Sequence, residues 1–594
     1  MLAIASAATA QDVPQLSVGR LADGEGPEID GRVEDAVWSR AQPHTAFIQQ
    51  EPNEGQPATE RTDVRFLIDR ATLYIAVICY DTAPGDIVVS ESRRDASLTD
   101  TDSIEILLDT FDDGQNAFVF GTNPFGIEYD GQVMSEGQTS ASGFVASGVG
   151  GSQRGQVRGF NANWDADWTV RARTTERGWE AEFAIPLKTL RYNFFSRRIG
   201  LSPGGQPIDI VGGGRLSGKL GGYNIGVLNL QTEEAVDRTG RTVAPGSNFT
   251  VARLQREVGR STFGGVVVNR QGVGSSAPSD DFNRAYGLDL AWQASSNGKL
   301  FGFLARTDSP ARKGGSDYAG RVYYSYANPV WSSALGYSQV GERFNPEVGF
   351  LQRQAYRRVE SRYGLSYQPK RWPSIRRLVS TLNYNVYTDL DNRLESTFGH
   401  WHVFEIQPRQ GGRIAYIMDI QQDRPRRPFT VYQDVAGRRV IIPAGEYASW
   451  NGGLEYESDP SAPVNIAIRS KNGRFYDGDH AGWELSLGMR LGARLISSAG
   501  WSRDNITLPF GSFTNDLIPL NVSYSFTSLA SLQGLIQYNR QSSTLSSNIR
   551  LALLDRSGTG LFAVYNDRRD TSDVTSDTLL GRSFIVKYTR LLDF

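Results

Sequence analysis

The sequence predicts an all-β protein in two parts, an N-terminal β-sandwich followed by a large antiparallel transmembrane β-barrel. Three observations carry this. First, Leu520 to Thr527 alternates strictly, with Leu520, Val522, Tyr524 and Phe526 on one side and Asn521, Ser523, Ser525 and Thr527 on the other, the period of a strand with one oily face. The pattern returns in Trp483, Leu485, Leu487, Met489 and Leu491 and in Phe584, Val586 and Tyr588. Second, no run of about 18 apolar residues exists, which removes spanning helices but leaves barrel strands, whose hydropathy is diluted by alternation. Third, 63 glycines and 11% aromatic residues beside one cysteine make a turn-rich, aromatic-rich, thiol-poor chain of 594 residues, long enough for one ordinary domain plus a large barrel.

Lys+Arg 62 against Asp+Glu 65 leaves a net charge of -3, so no field pulls the chain toward nucleic acid. Cys79 has no partner for a disulfide. Residues 1–10, MLAIASAATA, are small and apolar and end in Ala8-Thr9-Ala10 before Gln11 and Asp12, as the tail of a secretory signal does.

Residues 11–193 read as the sandwich. Val64, Phe66 and Ile68, then Leu73, Ile75 and Val77, predict a hairpin turned by Asp69-Arg70-Ala71. Ile104, Ile106 and Leu108 suit a further strand, and Trp168 and Val170 begin another. The ordered set IDGRVEDAVW, LYIAV, RRD (Arg93 to Asp95), DTDSIEILLDT, NPFG, WDADW and GWEAEFAIPLKTLR resembles the family 9 carbohydrate-binding module. That resemblance implies a β-sandwich that binds glycan, in some members with structural calcium.

Sugar recognition wants flat aromatic faces for C–H-rich ring surfaces and amides, carboxylates and guanidiniums for hydroxyls. Trp164, Trp168, Arg93, Asp95 and Asn123 are the candidates. Trp38, Trp168 and Trp179 equally suit a core, while Trp164, between Asn163 and Asp165, is the better exposed platform. For calcium, Asp100, Asp102 and Asp109 are the ligand candidates within a dense run that adds Glu105, Asp112 and Asp113. Alternating carboxylates on a solvated strand and turn are the competing reading.

Residues 194–594 read as the barrel. FFSRRIGL (Phe194 to Leu201) and the closing SFIVKYTRLLDF resemble the outer-membrane barrel domain of unknown function that often follows such a module. Members of that family usually carry well over a hundred residues before FFSRRIG. Here Tyr192-Asn193 runs directly into Phe194, so the first barrel strands are expected to be missing or the barrel to close with fewer. Alternating segments from Pro207 onward number about twenty. Asp308 to Ser316, Gln422 to Val440 and Thr507 to Asp516 are expected as long outer loops, and Arg215, Arg306, Arg321, Arg490 and Arg550 as lumen charges. Phe594, in register with Leu592, Tyr588, Val586 and Phe584, resembles the signal read by barrel-insertion machinery.

Other motifs dissolve on inspection. GGRLSGK (Gly213 to Lys219) has Leu220 where a phosphate loop needs Ser or Thr. His400 and His402 share one strand face but have no evident third ligand. No catalytic residue emerges.

The expected function is an outer-membrane protein of a Gram-negative-type envelope that binds or admits oligo- or polysaccharide. Its module is expected in the periplasm, with outer-membrane lipid and the insertion machinery as further partners. The alternatives are a non-conducting structural or assembly protein and, behind it, a glycoside hydrolase.

Overall fold

A computed structural model describes every residue except 1–15, 50–52, 54, 111–116, 134–159, 162–163, 165, 188–198, 201–207, 237–241, 311–316, 350, 352, 557–558, 573–577 and 591–594. The signal-like segment 1–10, Asp112, Asp113 and Phe594 lie outside the described residues.

The N-terminal part is built from β1 (Val18–Arg20), β2 (Thr62–Ile68), β3 (Thr72–Tyr80), β4 (Ile104–Leu108), β5 (Ala117–Thr122), β6 (Tyr129–Val133), β7 (Phe160–Asn161), β8 (Thr169–Thr175) and β9 (Gly178–Pro186). They form a five-stranded sheet in the order β1-β2-β3-β9-β8 and a four-stranded sheet in the order β4-β5-β6-β7. The β2–β3 hairpin turns where the sequence places it. There Asp69 Oδ1 accepts the N–H groups of Ala71 at 2.8 Å and Thr72 at 2.7 Å, a local bond that favours a turn over continued strand.

Apolar residues at alternate positions meet between the sheets. Ile75, Val77, Ala181, Phe183 and Ile185 from one side pack with Phe118 and Phe120 from the other, and Trp164, Trp168 and Trp179 complete the core.

The segment ahead of β2 is tied to β9 by two buried glutamates. Trp38 Nε1 donates to Glu182 Oε1 at 2.8 Å, and the Gly31 and Asp30 N–H groups donate to Oε2 at 2.9 and 3.2 Å. Glu180 takes Arg177 Nη2 at 2.6 Å, Arg173 Nη2 at 3.3 Å and the Val33 N–H at 3.2 Å. Gly31 has φ +84, and a Cβ there would stand 3.2 Å from the Ala172 nitrogen, so this anchor needs glycine.

The rest of the described chain forms one antiparallel sheet of 21 strands, from Ile210–Leu220 to Thr578–Thr589, close to the number expected. Two small hairpins sit in its connections, Ala235–Val236 with Thr242–Ala244 and Phe429–Gln433 with Arg439–Ile442. The second packs Tyr432, Val440 and Ile442 against Tyr447, Tyr476, Ile506 and Leu508, so the connection predicted between Gln422 and Val440 folds on itself. The connection predicted at Thr507 to Asp516 is instead a tight turn, because Leu508 already pairs with Gly511.

The sheet keeps its oily face outward. Trp483, Leu485, Leu487, Met489 and Leu491 are 40–60% exposed, while the opposite face carries the charged and amide side chains. In an aqueous domain this face would demand a second layer, whereas in lipid it needs none. Arg215, Arg321, Arg490 and Arg550 lie on the polar face, as their cross-strand partners Leu228, Ser338, Ile496 and Gln533 do. Arg306 does not. It pairs across strands with Tyr286 and Tyr318 on the oily side, caps the Tyr318 ring at 5.3 Å and meets Asp317.

With an odd number of strands in an antiparallel sheet, the first and last run the same way. Ile210–Leu220 and Thr578–Thr589 each pair on one side alone among the described residues, and nearly every residue of both is exposed. A direct bond between them would be parallel, so an all-antiparallel closure needs an odd number of further strands.

Candidate functional site

The module's distinctive chemistry gathers on β6 and the segments that flank it. Glu128, Asp130 and Gln132 alternate along the chain and therefore point the same way, toward the face that also carries Phe118 and Phe120. Arg94 reaches into this row, donating to Glu128 and, through Nη2, to Asp130 Oδ2 at 3.1 Å and the Ala166 carbonyl at 3.4 Å. Trp168 Nε1 donates to the same Asp130 Oδ2 at 2.8 Å. Asp130 and Gln132 are 1% and 0% exposed. Both polar atoms of the Gln132 amide, and the Ser92 hydroxyl, have no hydrogen-bond partner among the described residues.

Orphaned polar atoms at this depth cost about 1–3 kcal/mol each. Such atoms are uncommon in native proteins, and these three are gathered beside the Arg94–Asp130 contact among the described residues.

The five predicted sugar contacts fare differently from one another. Trp164 is not an exposed platform. At 2% exposure it lies 4.8 Å from Phe118 and 5.9 Å from Phe120, ring centre to ring centre, because its position between the sheets outweighs the polarity of its sequence neighbours. Trp168 is buried too, stacked on Phe183 at 5.8 Å. Asn123 is fully buried and serves the backbone, donating to the Glu91 carbonyl at 2.6 Å and accepting the Phe125 N–H at 3.0 Å. Arg93 pairs with Glu91 at 2.9 Å. Asp95 takes a positive φ of 58 and lies 3.5 Å from the Arg94 guanidinium.

RRD and WDADW lie beside this polar row, and Arg94 and Trp168 are the members of those motifs that meet it at Asp130. Arg94, Glu128, Asp130 and Gln132 were missed, although the alternation E-Y-D-G-Q was a visible signal of one polar strand face.

Calcium does not fit the residues proposed for it. Asp102 and Asp109 stand at opposite ends of β4, about 20 Å apart at strand rise, so one ion cannot join them. Asp102 is engaged with the Val88 N–H at 2.6 Å, and burial pushes its carboxyl above the usual range despite that bond. Among the described residues no group of three or more His, Cys, Asp or Glu side chains is placed to hold a metal.

The module touches the large sheet at one of its short turns, where the Arg94 N–H meets the Ser528 carbonyl at 3.4 Å. On the polar face of the sheet, an amide ladder runs from Asn548 Nδ2 to Asn566 Oδ1 at 2.5 Å and from Asn566 Nδ2 to Ser583 Oγ at 3.1 Å. It lines a cleft of about 510 Å³ shared with Gln537 and Arg568. His400 and His402 also lie on this face, each spoken for by a carboxylate, Asp419 at 2.7 Å and Glu405 at 3.1 Å.

No curated protein matches the chain at a significant level. Among solved structures, the open form of the ferric-catecholate import receptor Fiu from E. coli K12 aligns at 7% identity and a TM-score of 0.30, over 63% of this chain and 70% of that one. Residues 29–203 match the family model described as carbohydrate family 9 binding domain-like, the family that the order of motifs in the N-terminal part resembles.

Proposed function

We propose that this is an outer-membrane protein whose module faces the periplasm and holds an oligosaccharide, and whose large sheet is the wall that admits or anchors it. The carrying observation is the convergence of Arg94 and Trp168 on Asp130 beside the amide of Gln132, which has no partner among the described residues. A guanidinium, carboxylates and an amide are the inventory that binds sugar hydroxyls. The amide ladder on the polar face of the sheet supplies the same hydroxyl-binding chemistry along a wall. The contact with Ser528 sets the module against short turns, which in such barrels face the periplasm. Phe584, Val586 and Tyr588, in the last described strand, suit recognition by insertion machinery.

Calorimetric titration of the full chain with an oligosaccharide panel tests this, using Gln132→Leu as the variant. That change removes the orphaned amide at similar volume, so the module should stay folded or gain stability while losing its ligand. Unchanged affinity in Gln132→Leu would refute the site.

A second reading is favoured by the burial of Trp164 and Trp168, which closes the two indole faces expected to take a sugar ring. In it, the module is a structural partner of the barrel and the sheet conducts nothing. No glycan affinity together with no ion current across a planar bilayer would place this reading first.

A further inference from the structure

We infer that the polar face of the last strands of the large sheet holds an acidic oligosaccharide, one whose rings carry carboxylates, along a track from Arg568 to Arg550 and Lys587. This rests on the reading of the sheet as a wall that admits or anchors an oligosaccharide, and it adds the charge of that sugar.

The strand register puts the three cations on one face. Arg568 stands across from Ser546, which stands across from Gln537. Arg550 stands across from Gln533 and Val564, and Lys587 alternates with the outward Val586 and Tyr588. Midway between the two arginines lie Asn548 and Asn566, in direct register with each other and continued by Ser583. Arg550 is four positions from Ser546, so the arginines stand about 13 Å apart along the strand direction. Lys587 is across from Phe562, and the Arg550 guanidinium lies over that ring at 5.0 Å.

These cations differ from the others on the wall in having no carboxylate. All three are exposed, and none makes an ion pair among the described residues. Elsewhere on the same face Arg253 is held by Asp289, Arg321 by Glu360 and Arg413 by Glu455, each at 2.8 Å. The carboxylates near the track are otherwise placed. Asp567 lies on the oily side, bonded by Arg569 and Arg582. Asp570 ends its strand and accepts the Ser572 N–H at 2.8 Å.

A neutral sugar would need only the amides and hydroxyls of the ladder. Flanking that ladder with exposed guanidiniums gives the cleft of about 510 Å³ a potential of one sign, which draws anions. A planar guanidinium fork matches a carboxylate through two parallel bonds. Two forks set about 13 Å apart along the strands suit a chain that repeats its carboxylates better than a single small anion. Phe562 lies near the start of the strand Thr559–Asp570 and Arg568 near its end, so the track runs along the wall from one rim toward the other.

The test titrates the full chain in detergent micelles with a panel of uronate oligosaccharides, each beside its fully methyl-esterified, uncharged form. The wild-type chain should favour the free acid by about tenfold at low salt, and the preference should shrink as salt rises. Combined R550Q and R568Q remove two guanidiniums without leaving any carboxylate unpaired, so the fold, checked by gel mobility of unheated samples, should persist while the preference is abolished. Arg253→Gln, which removes a polar-face arginine already paired with Asp289, should keep it. Binding of neither form across the panel overturns the oligosaccharide reading of the wall and this inference with it. Equal binding of both forms, or a preference that survives R550Q and R568Q, overturns this inference alone. Excess acetate supplies the carboxylate without the sugar: a preference that persists against it supports the track, and one that collapses under acetate but not under chloride overturns it in favour of a small-anion site.

Discussion

The Trp168 indole and the Arg94 guanidinium meet on a single oxygen, Oδ2 of Asp130, at 2.8 and 3.1 Å. The residue that stacks in the hydrophobic core is thereby also the one that orients the charged group beneath Gln132. Packing and this polar contact are consequently not separable by truncating Trp168.

Substitutions at Asp130 and Trp168 should differ in size. Asp130→Ala leaves the nearly buried Arg94 charge with less compensation and should cost about 3–5 kcal/mol. Trp168→Phe keeps most of the ring packing and removes one donor, costing about 1–3 kcal/mol. Urea unfolding of the full chain, followed by the module's tryptophan fluorescence, measures both. Equal losses would show that Asp130 is not the hub.

Glu180 and Glu182 should give opposite pH signatures. Burial pushes the Glu180 carboxyl up, but Arg177, the Val33 N–H and Arg173 more than offset this and hold it below the usual range. Its stabilising contribution is present above about pH 4.3 and is lost as pH falls through the lowered value. Burial dominates at Glu182 and raises it, despite bonds from Trp38, Gly31 and Asp30. Its contribution is present below about pH 4.3 and lost as pH rises through the raised value. The stability difference between wild type and Glu180→Gln should therefore shrink on acidification from pH 7, and that between wild type and Glu182→Gln should grow. Unfolding free energies from about pH 3 to about pH 7, a window that extends to both sides of the ordinary carboxylate value, decide it, and slopes of the same sign would contradict the assignment.

Cys79 should be inert while the module is folded. Burial pushes its thiol up to about 12, and the thiolate is the reactive form. Labelling by a soluble disulfide reagent at pH 8 should follow the unfolding rate and not the reagent concentration. Fast, concentration-dependent labelling of native protein would show that β3 opens locally.

How far the sequence carried differs between the two parts for a physical reason. Alternation has a period of two and needs no knowledge of partners, so strands such as Gly511–Thr527 and the outward row of Trp483 to Leu491 were legible. Arg306 was misassigned because it sits at a strand end, where ring stacking on Tyr318 and a bond to Asp317 make the oily side tolerable. In the module, the motif residues Gly31 and Trp38 were recognisable, yet their purpose was not, since it lies in a bond to Glu182 across more than 140 residues. Trp164 was misjudged because flanking polarity says nothing about which side of a loop faces the core.

The outward face itself can be tested at two adjacent residues. Val522 lies mid-row on the oily side of Gly511–Thr527, and Asn521 lies on the opposite side, bonded to Ser498 Oγ at 3.3 Å. An arginine in place of Val522 must place its charge in hydrocarbon, at about 2–4 kcal/mol near the bilayer midplane. One in place of Asn521 joins a face already lined by polar groups and should cost far less. Folding yields into thin phosphatidylcholine vesicles, read by altered gel mobility of unheated samples, should fall steeply for Val522→Arg and little for Asn521→Arg. If the two lose equally, the oily row does not face lipid, because only a solvent that rejects charge distinguishes neighbours on one strand by the side they face.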